Sequence, residues 1–239
     1  MQDMNQSADT IASNLFRVRQ SIAEVARTCT GSCDAIRLIA VSKGHRASAI
    51  AAAIAAGQKD FGESTTQDAL PKISQLANPS IDWHFIGHLQ TNKAKFIPGN
   101  FSWLHSLDKL DLARKLSRRA RELSANINIL IEVNVSRDPK KHGIAPDALP
   151  DFIEQLLKEN LPALSLRGLM TIGPHAAPEK EIRGCFAKLR ELRDECRQHY
   201  ALPGFSELSM GMSGDYVEAI KEGATMLRVG TAIFGERDY

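Results

Sequence analysis

The 239-residue sequence has few cysteines and almost no net charge. Its four cysteines, at positions 29, 33, 185 and 196, are too few for a disulfide framework and lack the paired spacing of a zinc site. Cys29 and Cys33 could share a helix face, and they are then either a redox pair or two ordinary thiols of a reducing cytosol. The 30 basic and 28 acidic side chains give a formal charge of +2, which predicts neither a nucleic-acid nor a membrane partner.

Long apolar runs, low-complexity tracts and linkers are also missing. The amino terminus, MQDMNQSADTIASNLFRVRQ, is polar with apolar residues at helical spacing. It predicts a helix over about residues 8–30 rather than a signal peptide or a membrane span. Proline and glycine occur in loop-sized pieces, so we expect a single domain over residues 1–239 in a cytoplasmic protein.

Apolar, β-branched segments alternate with helical segments along the rest of the chain. The predicted strands are IRLIAVSK, KDFGES, IDWHFIG, FSWLHSLD, INILIEVNV, LSLRGLMTI, SELSM and MLRVGTAIFG. Seven helical segments separate them, QTNKAKFI among these; Asp108 and Pro146 are expected to open helices, and Gly57 and Gly223 to close them. The alternation predicts an α/β fold, a (β/α)8 TIM barrel over about residues 36–237. A doubly wound open sheet is the alternative, but no glycine-rich fingerprint follows the first strand.

In such a barrel the reacting groups lie at the carboxyl ends of the strands, and phosphates are often held after strands seven and eight. Lys43 is expected to end strand one. Backbone N–H groups beside glycine, together with hydroxyl groups, suit a phosphate. Two segments have this composition, with Gly211, Ser213 and Gly214 after strand seven and Gly230 and Thr231 late in strand eight.

A lysine opposite a phosphate site suggests an aldehyde that carries a phosphate. Pyridoxal 5′-phosphate (PLP) fits, because a desolvated lysine attacks its aldehyde as a free amine and forms an imine. One alternative is a sugar-phosphate aldolase, and another is an isomerase whose lysine acts through its charge. Both need acid–base groups at other strand ends. The candidates for such groups are Glu63, His84, His88, His105, Glu132 and His175.

Six ordered motifs from Ile36 onward resemble those of the pyridoxal phosphate homeostasis protein family, single-domain relatives of the alanine racemase N-terminal barrel. They are AVSKGH, FGES, WHFIGHLQTNK, RGLMTIG, LSMGMSGDYVEAIKEGATMLRVGTAIFG and the ending RDY. The resemblance implies an alanine racemase N-terminal-domain-like barrel that binds PLP as an imine to Lys43. It further implies that Ser213, Gly230 and Thr231 hold the phosphate, and that Arg228 faces the pyridine nitrogen.

Arg228 bears on what such a site could catalyse. Arginine is a permanent donor, so beside the pyridine nitrogen it favours the unprotonated ring, which is a weaker electron sink. Alanine racemase has a similar arginine and continues into a β domain that supplies a tyrosine base. No motif places Tyr200, Tyr216 or Tyr239 as that second base, so efficient two-base racemisation is not expected.

Three positions depart from the family pattern. Ser64 stands where relatives usually have asparagine, His88 where they usually have proline, and KKHGI, with Lys141 and His142, where they tend to have KSGI. Ser64 could still offer a hydrogen bond, and His88 adds a backbone donor and a group that titrates near neutrality.

Further residues are expected around the ring. Asn134 and Met170 lie near predicted strand ends, where Met170 is either core or a cofactor contact. His84 is either a structural hydrogen-bonding group in the barrel mouth or a cofactor neighbour. The expected cofactor-binding residues are Lys43, Arg228, Ser213, Gly230, Thr231, Met170, Asn134, Ser64, Gly211 and His84.

The function expected from these residues is that of a cytoplasmic PLP carrier and buffer, without metal and without enzymatic turnover, as a monomer or weak homodimer. Its partners would be PLP and PLP-dependent apoenzymes that receive it. The rival hypotheses are an amino-acid racemase or related PLP enzyme, and an aldolase-type barrel that accepts a sugar phosphate.

Overall fold

The computed structural model describes residues 2–29 and 36–236, with side chains from residue 8 onward. Cys33 and the RDY ending, including Tyr239, lie outside the described residues, so the expectations placed on them stay expectations. Within the described part of the chain, no helix combines the length and the apolar character needed to cross a bilayer.

Eight parallel strands form a closed barrel in sequence order. The strands are β1 (Arg37–Val41), β2 (Asp60–Glu63), β3 (Asp82–Phe85), β4 (Trp103–Leu107), β5 (Ile127–Glu132), β6 (Leu164–Met170), β7 (Glu207–Ser209) and β8 (Met226–Val229). The barrel closes where β1 pairs with β8, with Leu38 opposite Leu227. The predicted (β/α)8 architecture is therefore confirmed.

Helices connect the strands and cover the barrel. They are α1 (Gln2–Cys29), α2 (Ala47–Ala55), α3 (Thr66–Leu76), α4 (Leu110–Glu122), α5 (Leu149–Lys158), α6 (Glu179–His199), α7 (Tyr216–Lys221) and α8 (Thr231–Phe234), with 3-10 helices at Thr91–Phe96 and Pro146–Ala148. The long α1 buries Ile11, Leu15, Val18, Ile22 and Ala26 at helical spacing. This stripe packs α1 against α2, α7 and α8, which explains its apolar periodicity.

The core has two parts. The larger lies between the strands and the surrounding helices, and the smaller fills the barrel interior. Strands buried on both faces need nearly continuous apolar sequence, as in the INILIE segment of β5. The interior cluster consists of Ile39, Trp103, Leu130, Met170 and Met226.

Several predicted boundaries were wrong. Strand β8 ends at Val229, and the chain then turns into α8, whose Ile233 and Phe234 N–H groups donate to Gly230 O at 2.8 and 2.9 Å. Short apolar runs do not distinguish a strand from a helix, which explains the overlong strand. Strand β1 ends at Val41, so Lys43 lies in the following turn.

Two helix predictions also needed correction. The QTNKAKFI segment forms a 3-10 helix, and Pro98 follows it too closely for an α-helix to extend. Asp108 does not cap α4, because Lys109 is the residue at the cap. Gly57 and Gly223 do follow helix ends with φ values of +80° and +88°, as expected of closing glycines.

Candidate functional site

A cavity of about 260 Å³ opens at the carboxyl ends of the strands. Its lining residues are Val41, Lys43, His45, Ser64, Ile86, Ile172, Met212, Ser213, Gly214, Arg228, Gly230, Thr231 and Gly235. Two of these are cations by residue type, Lys43 and Arg228, and none of the described lining residues is acidic. Such a cavity suits a ligand that carries a negative charge.

The cavity brings together six of the ten predicted site residues, and four lie outside it. The lining six are Lys43, Ser64, Ser213, Arg228, Gly230 and Thr231. His84, Asn134, Met170 and Gly211 are not among the lining residues.

The turn that carries Lys43 is anchored on both sides. Before it, Ser42 Oγ donates to Glu63 Oε1 at 2.6 Å, and Ser42 O accepts from Lys72 Nζ at 3.0 Å. After it, Gly44 N donates to Asp68 Oδ2 at 3.0 Å. Lys72 bridges Glu63 and Asp68 at 2.8 Å each, so one buried ion network fixes the backbone around Lys43.

Glu63 is fully buried in this network. Burial raises its pKa to about 7, although the hydrogen bonds from Lys72 and Ser42 act in the opposite direction. Its second oxygen, Oε2, has no hydrogen-bond partner among the described residues. Glu63 therefore positions the turn and does not line the cavity.

Arg228 is 5% exposed and fixed by two hydrogen bonds. Its Nη1 donates to Ser209 Oγ at 2.6 Å, and its Nη2 donates to Thr171 O at 2.9 Å. Burial lowers the pKa of Arg228 to about 10, while Asp215 and Glu132 act to raise it. The guanidinium stays charged at neutral pH and keeps a fixed orientation at the cavity wall.

A buried polar chain leads from Arg228 through the barrel interior. Ser209 Oγ lies 2.8 Å from His105 Nδ1, and His105 Nε2 lies 2.9 Å from His84 Nδ1. His84 Nε2 lies 3.1 Å from Asp60 Oδ1. His84 also stacks on Trp103 with ring centroids 5.6 Å apart. Of the two interpretations of His84, the geometry favours the structural one.

The β7 and β8 side of the cavity is built from tightly packed backbone. Ser213 Oγ accepts from Ala232 N at 3.3 Å, and Asp215 Oδ1 accepts from Met212 N at 2.5 Å. A Cβ on Gly211, which has φ +92°, would lie 2.6 Å from Ala219 Cβ, so Gly211 is needed for close packing. This packing holds the segment from Met212 to Gly214 against the cavity.

Asn134 and Met170 have supporting positions. Asn134 Nδ2 donates to Asp138 O at 2.8 Å and shapes the loop after β5. Met170 is 1% exposed and belongs to the barrel-interior cluster. In the same loop, Lys141 Nζ donates to Gly173 O at 2.7 Å and to Ile172 O at 3.2 Å, which ties the loop to the cavity wall.

The remaining acid–base candidates do not converge on the cavity. Burial lowers the pKa of His84 and, more strongly, that of His105, so both imidazoles are neutral. Burial raises the pKa of Glu132 to about 7, with a further contribution from Asp108. Burial and the neighbouring His142 lower the pKa of His88. None of these residues, nor the exposed His175, lines the cavity.

Sequence reasoning missed several residues that build the site. His45, Ile86, Ile172 and Met212 line the cavity, and Lys72 holds the Lys43 turn. His45 lies two residues after Lys43, and its ring centroid is 5.1 Å from that of Phe234. Proximity to the predicted strand ends was the available signal for the four lining residues.

The arrangement defines a class of protein, a barrel with a lysine and a small polar cavity at its carboxyl end. The model of the family described as alanine racemase, N-terminal domain, matches residues 13–238. The pyridoxal phosphate homeostasis protein of Pseudomonas aeruginosa is 43% identical over 230 residues, which cover 96% of this chain and 97% of that protein. The chain belongs to the pyridoxal phosphate homeostasis protein family.

Solved structures agree with this assignment. The structure of PipY from Synechococcus elongatus PCC7942 with PLP bound is 38% identical, with a TM-score of 0.84 over 94% of this chain and 100% of that chain. An alanine racemase of Clostridium difficile 630 shares the fold alone, at 15% identity and a TM-score of 0.70, over 97% of this chain and 58% of that chain.

Proposed function

We propose that this protein binds PLP reversibly and serves as a carrier and buffer of the cofactor. The observation that carries the proposal is the cavity of about 260 Å³, which is lined by Lys43 together with Ser213, Gly230 and Thr231. An amine that can capture an aldehyde thus lies in the same cavity as hydroxyl and glycine backbone groups that can bind a phosphate.

The residues present fit the cofactor. Lys43 supplies the amine, and its Nζ would form an imine with the PLP aldehyde, with loss of one water. Hydrolysis of the imine would consume one water and give back the free lysine and the free aldehyde. Ser213, Gly230 and Thr231 hold the phosphate, and Ser64 offers a further hydroxyl at the cavity wall. The positive charge of Arg228 and the lack of acidic residues among the described lining favour an anionic ligand.

The site favours holding the cofactor over catalysing with it. Bound PLP supplies an electron sink that is strongest when its ring nitrogen is protonated. The buried, doubly hydrogen-bonded guanidinium of Arg228 opposes that protonation if it faces the nitrogen. The Oη of Tyr200 donates to Pro150 O at 3.1 Å, and that of Tyr216 lies 2.9 Å from Ser21 Oγ, so neither described tyrosine faces the cavity as a base.

The proposal includes the setting in which such a carrier works. We place it in the cytoplasm as a monomer or weak homodimer that delivers PLP to PLP-dependent apoenzymes. The P. aeruginosa relative is named for homeostasis, and the PipY structure holds the cofactor. Both support the proposal.

The decisive experiment is to load the purified chain with PLP and record its visible spectrum before and after reduction with borohydride. We expect a protonated-imine band, and peptide mass analysis should find the reduced cofactor on Lys43. Lys43→Ala should abolish the band, and the matched control Lys188→Ala, at an exposed lysine of α6, should retain it. A band that survives in Lys43→Ala contradicts the assignment of the lysine.

Two further measurements separate the carrier from its rivals. The loaded protein should activate a PLP-requiring apoenzyme, and chiral analysis after incubation with alanine and other amino acids should show no rapid interconversion. Rapid racemisation would overturn the carrier role. A protein that fails to form the band with PLP but forms a reducible adduct with a sugar phosphate would be an aldolase-type barrel.

A further inference from the structure

Three side chains with metal-binding atoms meet at the rim of the barrel, outside the cofactor cavity. His88 follows β3, Asp108 follows β4, and His142 lies in the loop after β5. Because the carboxyl ends of neighbouring parallel strands lie side by side, the fold brings the three together. None of them lines the cavity, although Ile86, two residues before His88, does.

The three groups are close enough to share one ion. One ligand atom from each residue, an imidazole nitrogen or a carboxylate oxygen, lies within 4.8 Å of the other two. The His88 and His142 rings are stacked with centroids 3.7 Å apart and an interplanar angle of 11°. An imidazole binds a metal through a lone pair in its own ring plane, so one ion contacts both histidines once one ring turns out of the stack.

Two buried polar atoms of the cluster lack a hydrogen-bond partner among the described residues. His88 Nδ1 and Asp108 Oδ1 are both buried, and neither has a hydrogen-bond partner among the described residues. His88 Nδ1 lies 3.7 Å from Asp108 Oδ2, which is too long for a hydrogen bond. Leaving a buried donor or acceptor unpaired is unfavourable, and an ion that both groups contact would remove that cost.

We propose that His88, Asp108 and His142 form a binding site for a divalent first-row transition ion, of which Zn²⁺ is the best fit. Two imidazoles and one carboxylate match the ligands of zinc, and water fills the remaining position. Bonds of about 2.0–2.1 Å in a tetrahedron place ligand atoms about 3.3 Å apart, so atoms that lie within 4.8 Å of one another must approach by up to about 1.5 Å. The exposed His142 side chain on its loop can make that movement.

Both histidines of the site are positions that the sequence analysis singled out. His88 and His142 are two of the residues that depart from the family pattern, and the structure stacks one on the other. The metal site is therefore expected in chains that have histidine at both positions. The cofactor cavity lies beside it and does not depend on the metal.

The test uses the full chain after metal removal with a chelator. Titration with Co²⁺, followed by its visible absorption, and with Zn²⁺, followed by calorimetry, should give saturable binding of one ion per chain. His88→Gln, His142→Gln and Asp108→Asn should each weaken binding by at least about tenfold, the lower bound for loss of a supporting partner of a metal ligand. The matched control His199→Gln, at an exposed histidine of α6, should bind as the unchanged chain does.

A second measurement guards against misfolding. Each variant should retain a cooperative thermal transition, and Zn²⁺ should raise the midpoint of the unchanged chain and of His199→Gln but not that of the His88→Gln/His142→Gln double variant. Absence of saturable binding by the unchanged chain overturns the proposal. Undiminished binding by the folded double variant overturns it equally.

Discussion

Arg228 donates a hydrogen bond of 2.6 Å to Ser209, and this contact completes a buried chain of hydrogen bonds that begins at Asp60. A carboxylate only accepts hydrogen bonds, so His84 Nε2 donates to Asp60 Oδ1. In a neutral ring the other nitrogen accepts, so His84 Nδ1 accepts from His105 Nε2, and His105 Nδ1 accepts from the Ser209 hydroxyl. The Asp60 carboxylate thereby determines the tautomer of two histidines in the barrel interior, and Arg228 completes the chain at the cavity wall.

Nuclear magnetic resonance can test this chain. We expect the ¹⁵N shifts of His84 and His105 to show neutral rings protonated at Nε2 throughout the neutral range. Ser209→Ala should keep that preference at His105, whose Nε2 still donates to His84, and should lower the free energy of unfolding by about 1–3 kcal/mol, because it leaves buried partners unpaired. Ser165→Ala, which removes a hydroxyl that accepts from the exposed Asn126, should change neither quantity. Nδ1-protonated rings in the unchanged protein would refute the proposed directions.

Glu63 should give the protein a pH-dependent stability. Its pKa is about 7 in the folded chain and 4.5 for an ordinary glutamate, so between these values the folded chain holds a proton that the unfolded chain has lost. The free energy of unfolding should therefore fall as pH rises from 4.5 to about 7, with the stabilising contribution fully present below 4.5. A shift of this size corresponds to about 3 kcal/mol.

Denaturant titrations across that pH range, compared with those of Glu63→Gln, isolate the effect. The variant should lack this part of the slope, whatever its stability at a single pH, while Glu195→Gln at an exposed position of α6 should retain it. If the free energy of unfolding changes with pH equally in Glu63→Gln and in the unchanged chain, the folded pKa of Glu63 is near its ordinary value.

The residues that could be predicted from the sequence are those whose position follows from strand order alone. Lys43, Ser213, Gly230 and Thr231 lie just beyond strand ends, and in a parallel barrel those ends meet at one face. That rule needs no knowledge of which way a side chain points. The ion network of Glu63 with Lys72 was not predictable in the same way, because it depends on how α3 packs over β2.

Met170 shows why side-chain direction was harder to predict. The pairing of β5 with β6 shifts between Ile129 and Leu130, and Gly168 adopts φ +155° at that place. One extra residue in a strand changes which side chains face inward beyond it. Met170 therefore packs in the barrel interior, and the same dependence on register hid the contact between His84 and His105.

The hydroxyl groups proposed to hold the phosphate can be tested with two ligands. Ser213→Ala and Thr231→Val should each weaken PLP binding by about 10- to 100-fold, since a hydrogen bond to a charged group contributes about 1.5–3 kcal/mol. Binding of pyridoxal, which lacks the phosphate, should change little in either variant. Equal losses for both ligands would show that the hydroxyls act elsewhere, and Ser165→Ala supplies the control for a hydroxyl outside the cavity.

Two glycine substitutions should have opposite effects on stability. A Cβ on Gly87 would lie 2.1 Å from Ser64 O, which forces apart the backbone segments after β2 and β3. Gly184 is an exposed position of α6 whose Cβ would meet nothing within 4 Å. Gly184→Ala should therefore raise the free energy of unfolding by about 0.5–1 kcal/mol through helix propensity.

Gly87→Ala should lower the free energy of unfolding by more than that amount and weaken PLP binding, because Ser64 lines the cavity. Denaturant unfolding and PLP titration of both variants measure the two effects. Since the added methyl group is the same, the difference between the variants reports the space around each glycine. A Gly87→Ala chain as stable as the parent would mean that the β2 and β3 loops can separate freely, and the close approach of Gly87 to Ser64 would then have no part in shaping the cavity.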